Sequence, residues 1–246
     1  MAKGKTAKKE LSIVMPAFNE EANIERTVTA CFAALAQAKI SGEVVVTNDG
    51  SRDRTGAILK KMLSRFPALR VVNHEANGGY GEALRDAILA AQGKFIVSID
   101  SDGQFDIADM RLLICEQKKG FEVVTGYRTR KQDSPFKVFA DRVLSMLVKM
   151  MFAVRFRDTN CALKLYSPGV IDKITIEARG YQVPTEILLK LNALGVKIGQ
   201  VPVRHFPRQQ GQSALHPWRT GWQMVIFLFY LRLKLSLFRK KIIKKL

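Results

Sequence analysis

Apolar positions along the chain arrive in short runs, separated by stretches with a helical repeat. Residues 11–15 (LSIVM) are almost wholly apolar and end at Pro16, the pattern of a buried strand. A 3.6-residue repeat over about 20–38 predicts a helix, with Asn19 as its N-cap and acids in its first turn. A strand at 43–47, the turn Asn48-Asp49-Gly50-Ser51 and a helix over about 53–65 follow. A third strand at 69–73 leads through a glycine-rich turn into a helix ending near Gly93. Strands at 94–99 and 122–125 complete the series. Strand and helix alternating at this spacing predict an α/β fold, a mostly parallel sheet with flanking helices. Ligands bind such sheets beyond the carboxyl ends of the strands.

The second half has a different pattern. Residues 136–156 (FKVFADRVLSMLVKMMFAVRF) place Lys137, Asp141, Ser145 and Lys149 four apart, so one narrow face is polar and the rest apolar. Residues 224–231 (MVIFLFYL) have no polar group except the tyrosine hydroxyl. The charge-free stretch 221–231 is eleven residues long, against about 20 for a membrane span. Both segments therefore read as helices lying on a membrane surface. Three units are expected: a basic tail at 1–9, a main domain at 10–215 that includes the 136–156 helix, and a basic membrane-associating segment at 216–246.

Charge sharpens this picture. Forty Lys and Arg against 22 Asp and Glu give a net charge of +18. No acid follows Glu186, while Arg239, Lys240, Lys241, Lys244 and Lys245 crowd the end of the sequence. Such a chain should meet an anionic partner: nucleic acid, anionic lipid or a phosphorylated substrate. The lysine-rich start runs into the first strand without an apolar stretch, so no secretory leader is expected. Cys31, Cys115 and Cys161 stand far apart, which argues against a disulfide framework or a cysteine-rich zinc site. His74, His205 and His216 lack metal-ligand spacing; His74 reads as a surface or turn residue.

Candidate chemistry collects at strand ends. Asp100-Ser101-Asp102 follows an apolar strand, and two carboxylates so spaced can hold Mg²⁺ or Mn²⁺, with Gln104 adding a neutral oxygen. A DxD triplet also arises by chance in a chain of this composition. Asn48-Asp49-Gly50-Ser51 is either a plain turn or a carboxylate placed to bind a base or ribose. Asn77-Gly78-Gly79-Tyr80-Gly81 lacks the third glycine of a dinucleotide fingerprint and reads better as a tight turn. Arg128, Arg130 and Arg208 suit phosphate, or form part of a solvated basic face.

In order, these motifs resemble family 2 glycosyltransferases of the GT-A fold, in the branch of dolichol-phosphate mannose synthases and other polyprenyl-phosphate glycosyltransferases. Residues 11–21 (LSIVMPAFNEE) match the opening strand and its P-x-x-N-E turn. Asn48-Asp49-Gly50-Ser51, with Asp53 and Thr55, matches D-D-G-S-x-D-x-T. Asn77 to Gly81 matches N-x-G-x-G, Asp100 to Gln104 matches D-A-D-x-Q, and Gly126-Tyr127-Arg128 matches G-S/Y-R. Residues 158–165 (DTNCALKL) resemble D-x-x-C/S-G-F-K-L. Residues 201–213 match the late strand and R-x-x-G-x-S loop. The chain departs from the pattern at Asn48, Ala162 and Ala214, and it lacks the clear membrane spans of several relatives.

The resemblance implies inverting transfer of a sugar from a nucleotide-sugar to a polyprenyl or dolichyl phosphate. It implies GDP-mannose as donor, with UDP-glucose or a UDP-N-acetylhexosamine as alternatives. Pro16, Phe18, Glu20 and Asp49 would hold the nucleoside. Ser101 and Ser213 would join Asp100 and Asp102 around the nucleotide-sugar. Asp100, Asp102 and Gln104 would hold the Mg²⁺ or Mn²⁺. Arg128, Arg142 and Arg208 would bring two anions together, and Asp158 would orient a group on the acceptor side. The placement implied is peripheral, on the cytoplasmic face of an anionic membrane, with or without a membrane-protein partner. No nucleic-acid partner is expected, because +18 alone does not explain apolar faces beside the basic run. A non-catalytic lipid-binding or nucleic-acid-binding protein is the competing class.

Overall fold

A computed structural model describes residues 9–129, 135–208 and 217–246. Most of the basic tail, Arg130, Gly211, Ser213, Ala214 and His216 therefore lie outside the described residues. The first half runs β1 (Leu11–Ala17), α1 (Ile24–Gln37), β2 (Gly42–Asp49), α2 (Thr55–Arg65), β3 (Leu69–His74), α3 (Tyr80–Ala90) and β4 (Phe95–Ser98). The second half runs α4 (Met110–Gln117), β5 (Val123–Arg128), α5 (Pro135–Phe152), β6 (Lys164–Tyr166), α6 (Val183–Ala193), β7 (Ile198–Val203) and α7 (Pro217–Arg239).

The strands form one sheet in the order β3-β2-β1-β4-β6-β5-β7. All neighbours are parallel except that β6 runs against both β4 and β5. The apolar runs of β1 and β2 reflect burial on both faces. Ile13, Met15, Val44 and Val46 pack into one core with α1 and α2. Val14 and Val45 point the other way, into a second core with α3, α5, α6 and α7. β1 extends past the proline at which the sequence pattern ends it. Val14 carbonyl accepts from Ile99 on the β4 side. Pro16 faces that same side two residues later, where no ladder partner remains, so its missing N–H is not needed there.

α1 starts four residues later than the sequence pattern predicts. Asn19 takes a left-handed φ of 55°, and its side-chain oxygen accepts from Arg52 N–H rather than capping α1. The terminal segment also differs from expectation. The eleven charge-free residues belong to a 23-residue helix, and Thr220–Arg239 is long and apolar enough to cross a membrane by length and composition. Arg232 and Lys234 do not interrupt it, because a helix carries such side chains on its faces. Nor is the segment separate from the domain. Met224, Leu228, Leu231 and Leu235 recur along one face and are buried in the second core. Leu246 is buried there too, and its carbonyl accepts from Thr175 N–H.

Candidate active site

Because β1, β2, β3 and β4 are parallel, their C-terminal ends bring Phe18–Glu20, Asp49, His74 and Asp100–Gln104 to one edge. Asp100 is half-buried, and Tyr80 at the start of α3 donates its hydroxyl to Asp100 Oδ1 at 2.9 Å. Tyr80 in turn stacks on Tyr181, ring centroids 5.6 Å apart. Burial, and then the neighbouring Asp102 charge, push the Asp100 carboxyl up to about 7. Asp102 Oδ1 accepts from Gln104 N–H at 3.0 Å across Gly103, whose φ of 73° suits glycine.

Ser101 does not face outward. Its hydroxyl donates to Pro16 carbonyl at 2.7 Å, and its carbonyl accepts from Thr27. It fastens the acidic loop to β1 and α1. Pro16 is likewise buried as the acceptor of that bond. Phe18 remains half-buried at the strand end. The side chain of Gln104 donates to Phe206 carbonyl, and Phe206 N–H donates back to Gln104 carbonyl at 2.7 Å. Gln104 thus ties the acidic loop to the segment after β7, and its amide oxygen is the atom left for a cation. That tie carries Arg208 over the site. Arg208 pairs with Glu20, and its Nη1 lies 3.9 Å from Asp102 Oδ2.

Asp49 is 2% exposed, and its carboxylate accepts from Gly78 N–H (2.8 Å), Gly79 N–H (2.9 Å) and His74 Nδ1 (2.7 Å). These bonds fix the Asp49 carboxylate within the turn into α3. The expected surface place of His74 is corrected: it is mostly buried and bridges Asp49 to Asp86. The glycines of this turn answer to packing. A Cβ on Gly79 would meet Arg179 carbonyl at 2.5 Å, and one on Gly81 would meet Ala178 carbonyl at 2.1 Å.

A second cluster stands at the end of β5. Asp158 grips Arg128 at both ends, Nε to Oδ2 at 2.7 Å and Nη2 to Oδ1 at 3.0 Å. Asp141 of α5 accepts from the same guanidinium at 3.4 Å and from Asn160 Nδ2 at 3.2 Å. Asn160 Oδ1 accepts from Thr185 of α6 at 2.6 Å. Beneath them the buried Lys164 ammonium donates to the carbonyls of Thr159 and Cys161; burial pulls its pKa down to about 8. Arg142 is not part of this cluster. It lines a shallow groove with Ser145, Met146, Lys149 and Arg157 on the outer flank of α5.

Among the described residues no three His, Cys, Asp or Glu side chains form a metal cluster. Two hard carboxylates, one held above its usual range by desolvation and then by the other's charge, still suit a divalent cation whose remaining ligands would come from a substrate diphosphate. Tyr80, Tyr181, His74, Asp141, Asn160 and Thr185 are site residues that the sequence did not disclose. Tyr80 lies inside a motif and Asp141 in the polar stripe, but neither pattern tells which atom each side chain meets.

The parallel sheet, the acidic pair closing β4 and the glycine turn before α3 define a GT-A type glycosyltransferase. The family model for glycosyl transferase family 2 matches residues 12–169. The chain belongs to that family. It is 28% identical over 214 residues to an undecaprenyl-phosphate 4-deoxy-4-formamido-L-arabinose transferase of Pseudomonas fluorescens, covering 85% of this chain and 61% of the relative. It is 26% identical to a dodecaprenyl-phosphate galacturonate synthase of Rhizobium johnstonii, covering 92% of this chain and 68% of the relative. The chain thus spans little more than three fifths of the length of the first of these. In fold it is similar to glucosyl-3-phosphoglycerate synthase of Mycobacterium tuberculosis, solved with Mn²⁺ and UDP-glucose. The TM-score is 0.69 and the identity 23%, covering 92% of this chain and 79% of that one.

Proposed function

We propose that this protein transfers a sugar from a nucleoside-diphosphate sugar to the phosphate of a polyprenyl lipid at a membrane surface, with inversion at the anomeric carbon. The observation that carries this reading is the half-buried Asp100–Asp102 pair at the end of β4, faced by Arg208, in a family 2 chain. A UDP-sugar is the donor this reading favours over GDP-mannose, since the fold neighbour was solved with UDP-glucose.

The residues divide the work. Asp100, Asp102 and the Gln104 oxygen would hold a Mg²⁺ or Mn²⁺, which neutralises the leaving diphosphate. Tyr80 keeps the Asp100 carboxylate aimed. Glu20 and Phe18 stand beside the donor pocket, with Arg208 bridging Glu20 to Asp102 until phosphate competes for its guanidinium. An acceptor phosphate is already anionic, so it needs positioning rather than a strong base. Arg128, clamped by Asp158 and Asp141, is a fixed cation for that purpose. Asp158 acts here through Arg128. Ser213 belongs to the late loop of the family pattern and stays a candidate on that ground alone.

The acceptor side also has a surface for lipid. α5 exposes Phe139, Val143, Met146 and Met150, and α7 exposes Trp222, Ile226, Phe229 and Leu233. Arg142, Lys149 and Arg157 flank the first stripe. We read this as peripheral attachment to an anionic, cytoplasmic leaflet. The opposite face of α7 is buried in protein, and Lys234 pairs with Glu177 at 2.6 Å. A spanning α7 would forfeit both.

Mixing the protein with undecaprenyl phosphate, Mn²⁺ and labelled UDP- or GDP-sugars should yield lipid-linked sugar from UDP-sugars, read by mass spectrometry. Product from GDP-mannose alone would restore the first donor expectation, and no lipid product from any donor would sink the reading. The membrane part has its own check. Met150→Glu with Phe229→Glu should lower co-sedimentation with anionic liposomes at least tenfold. Each side chain removed from lipid contact forfeits about 1.5–3 kcal/mol. Unchanged sedimentation would place the contact elsewhere.

A further inference from the structure

His74 ends β3 with 14% of its side chain exposed and a carboxylate at each ring nitrogen. Nδ1 lies 2.7 Å from Asp49 Oδ1, and Nε2 lies 3.0 Å from Asp86 Oδ2 on α3. A carboxylate at either nitrogen can only accept, so both nitrogens must donate. A neutral imidazole carries one N–H, and the arrangement needs two. His74 is therefore an imidazolium here.

What it joins matters for the donor side. Asp49, on β2, receives the amides of Gly78 and Gly79, which fix the turn into α3. Asp86 lies on α3 itself. The next residue after that turn is Tyr80, whose hydroxyl holds Asp100. His74 thus ties β2, the glycine turn and α3 together at the point from which Tyr80 reaches the acidic pair.

We propose that His74 is a positioning residue of the donor site, an imidazolium clamp between Asp49 and Asp86 whose loss of a proton loosens the glycine turn and weakens nucleotide-sugar binding. The inference rests on the donor reading given above. Other charges near the clamp are few. On α3, Arg85 contacts Asp86 at 3.3 Å and Glu82 at 3.6 Å; Arg70 lies four residues back on the same face of β3. Burial alone would lower the His74 pKa, but the bonds to Asp49 and then Asp86 outweigh it and hold the ring above the ordinary imidazole value. The sign follows. The clamp is fully present below the unfolded value of about 6.5 and is lost as pH rises through the higher folded value.

The test pairs a titration with kinetics. The ring proton signal of His74, assigned by its loss in His74→Gln, should titrate above the ordinary range. Asp86→Asn removes one carboxylate charge from a partly exposed position and should lower that midpoint by about one pH unit. In the wild type the donor KM should rise several-fold through the same midpoint between pH 6 and 9, with kcat changing much less. Asp86→Asn should move that rise to lower pH. His74→Phe should raise the donor KM at every pH and abolish the rise. A His74 signal titrating at or below about 6.5 would overturn the clamp. So would a donor KM whose pH profile is the same in wild type and Asp86→Asn. If the wild type binds no nucleotide-sugar at any pH, the donor reading itself falls and the inference with it. Binding that ignores both substitutions rejects His74 alone.

Discussion

Asp102→Asn is expected to cut sugar transfer about a thousandfold or more while leaving the melting temperature within about 2 °C of wild type. The side chain is not part of either core. Its Oδ1 accepts one bond from Gln104 N–H, which an asparagine oxygen can replace. What asparagine cannot replace is the charge. With Asp102 neutral, Asp100 is the one charged group among Asp100, Asp102 and Gln104 left to hold a divalent cation against the leaving diphosphate, and several kcal/mol of charge stabilisation are forfeited. Chelation should reproduce the loss: excess EDTA should silence the wild type, and added Mn²⁺ or Mg²⁺ should restore it. Full turnover in EDTA, or near-normal turnover in the variant, would show that the acidic pair does not act through a metal.

The second large effect is expected at Asp158. Its carboxylate is 2% exposed and holds Arg128 by two bonds. Asp158→Ala takes from a mostly buried guanidinium the carboxylate that holds it by two bonds, while the longer contact with Asp141 at 3.4 Å is kept. Breaking a buried pair by removing one partner costs about 3–5 kcal/mol, which for a chain of this size lowers the melting temperature by about 6–20 °C. Replacing both partners by apolar residues is milder, because no uncompensated charge is left behind. The double variant Arg128→Met, Asp158→Leu should therefore recover most of the lost melting temperature yet remain inactive in transfer. Thermal melts and transfer assays on the three proteins separate the two contributions. If the double variant transfers sugar normally, the pair is structural and Arg128 does not meet the acceptor phosphate.

Both predictions rest on contacts that differ in how far the sequence discloses them. The acidic pair was legible. An apolar run ending in Asp100-Ser101-Asp102 places two carboxylates at a strand terminus whatever the rest of the chain does. Arg128 and Asp158 were legible as residues of interest but not as a pair. Thirty positions separate them, with α5 between, and β6, which follows Asp158 and pairs with β5, is a three-residue strand too short for any periodic pattern to show. Helix α6 was missed for a related reason. Residues 183 to 191 are all buried, so it has no amphipathic repeat, and its Glu186 and Lys190 satisfy each other at 2.7 Å inside the core. The terminal segment was half read. Its apolar character is local and visible, whereas the division of α7 into a face for protein and a face for lipid depends on what packs against it.

The sequence by itself determined the alternation of strands and helices, the parallel run of the first four strands, and the collection of polar motifs at their carboxyl ends. Those follow from periodicity and from turn chemistry, which act between near neighbours. The tertiary structure alone decided which polar groups are turned inward and what each one meets. Asp49 and Ser101 sit in motifs suited to ligand binding, and packing aims one at the Gly78 and Gly79 amides and the other at Pro16 carbonyl. A buried carboxylate or hydroxyl must find a partner, and which partner lies within reach is set by the sheet register and helix docking. His74 shows the same rule in reverse. It is an unremarked residue by spacing, and it becomes a charged clamp because parallel pairing sets it opposite Asp49 while α3 lays Asp86 across its other nitrogen.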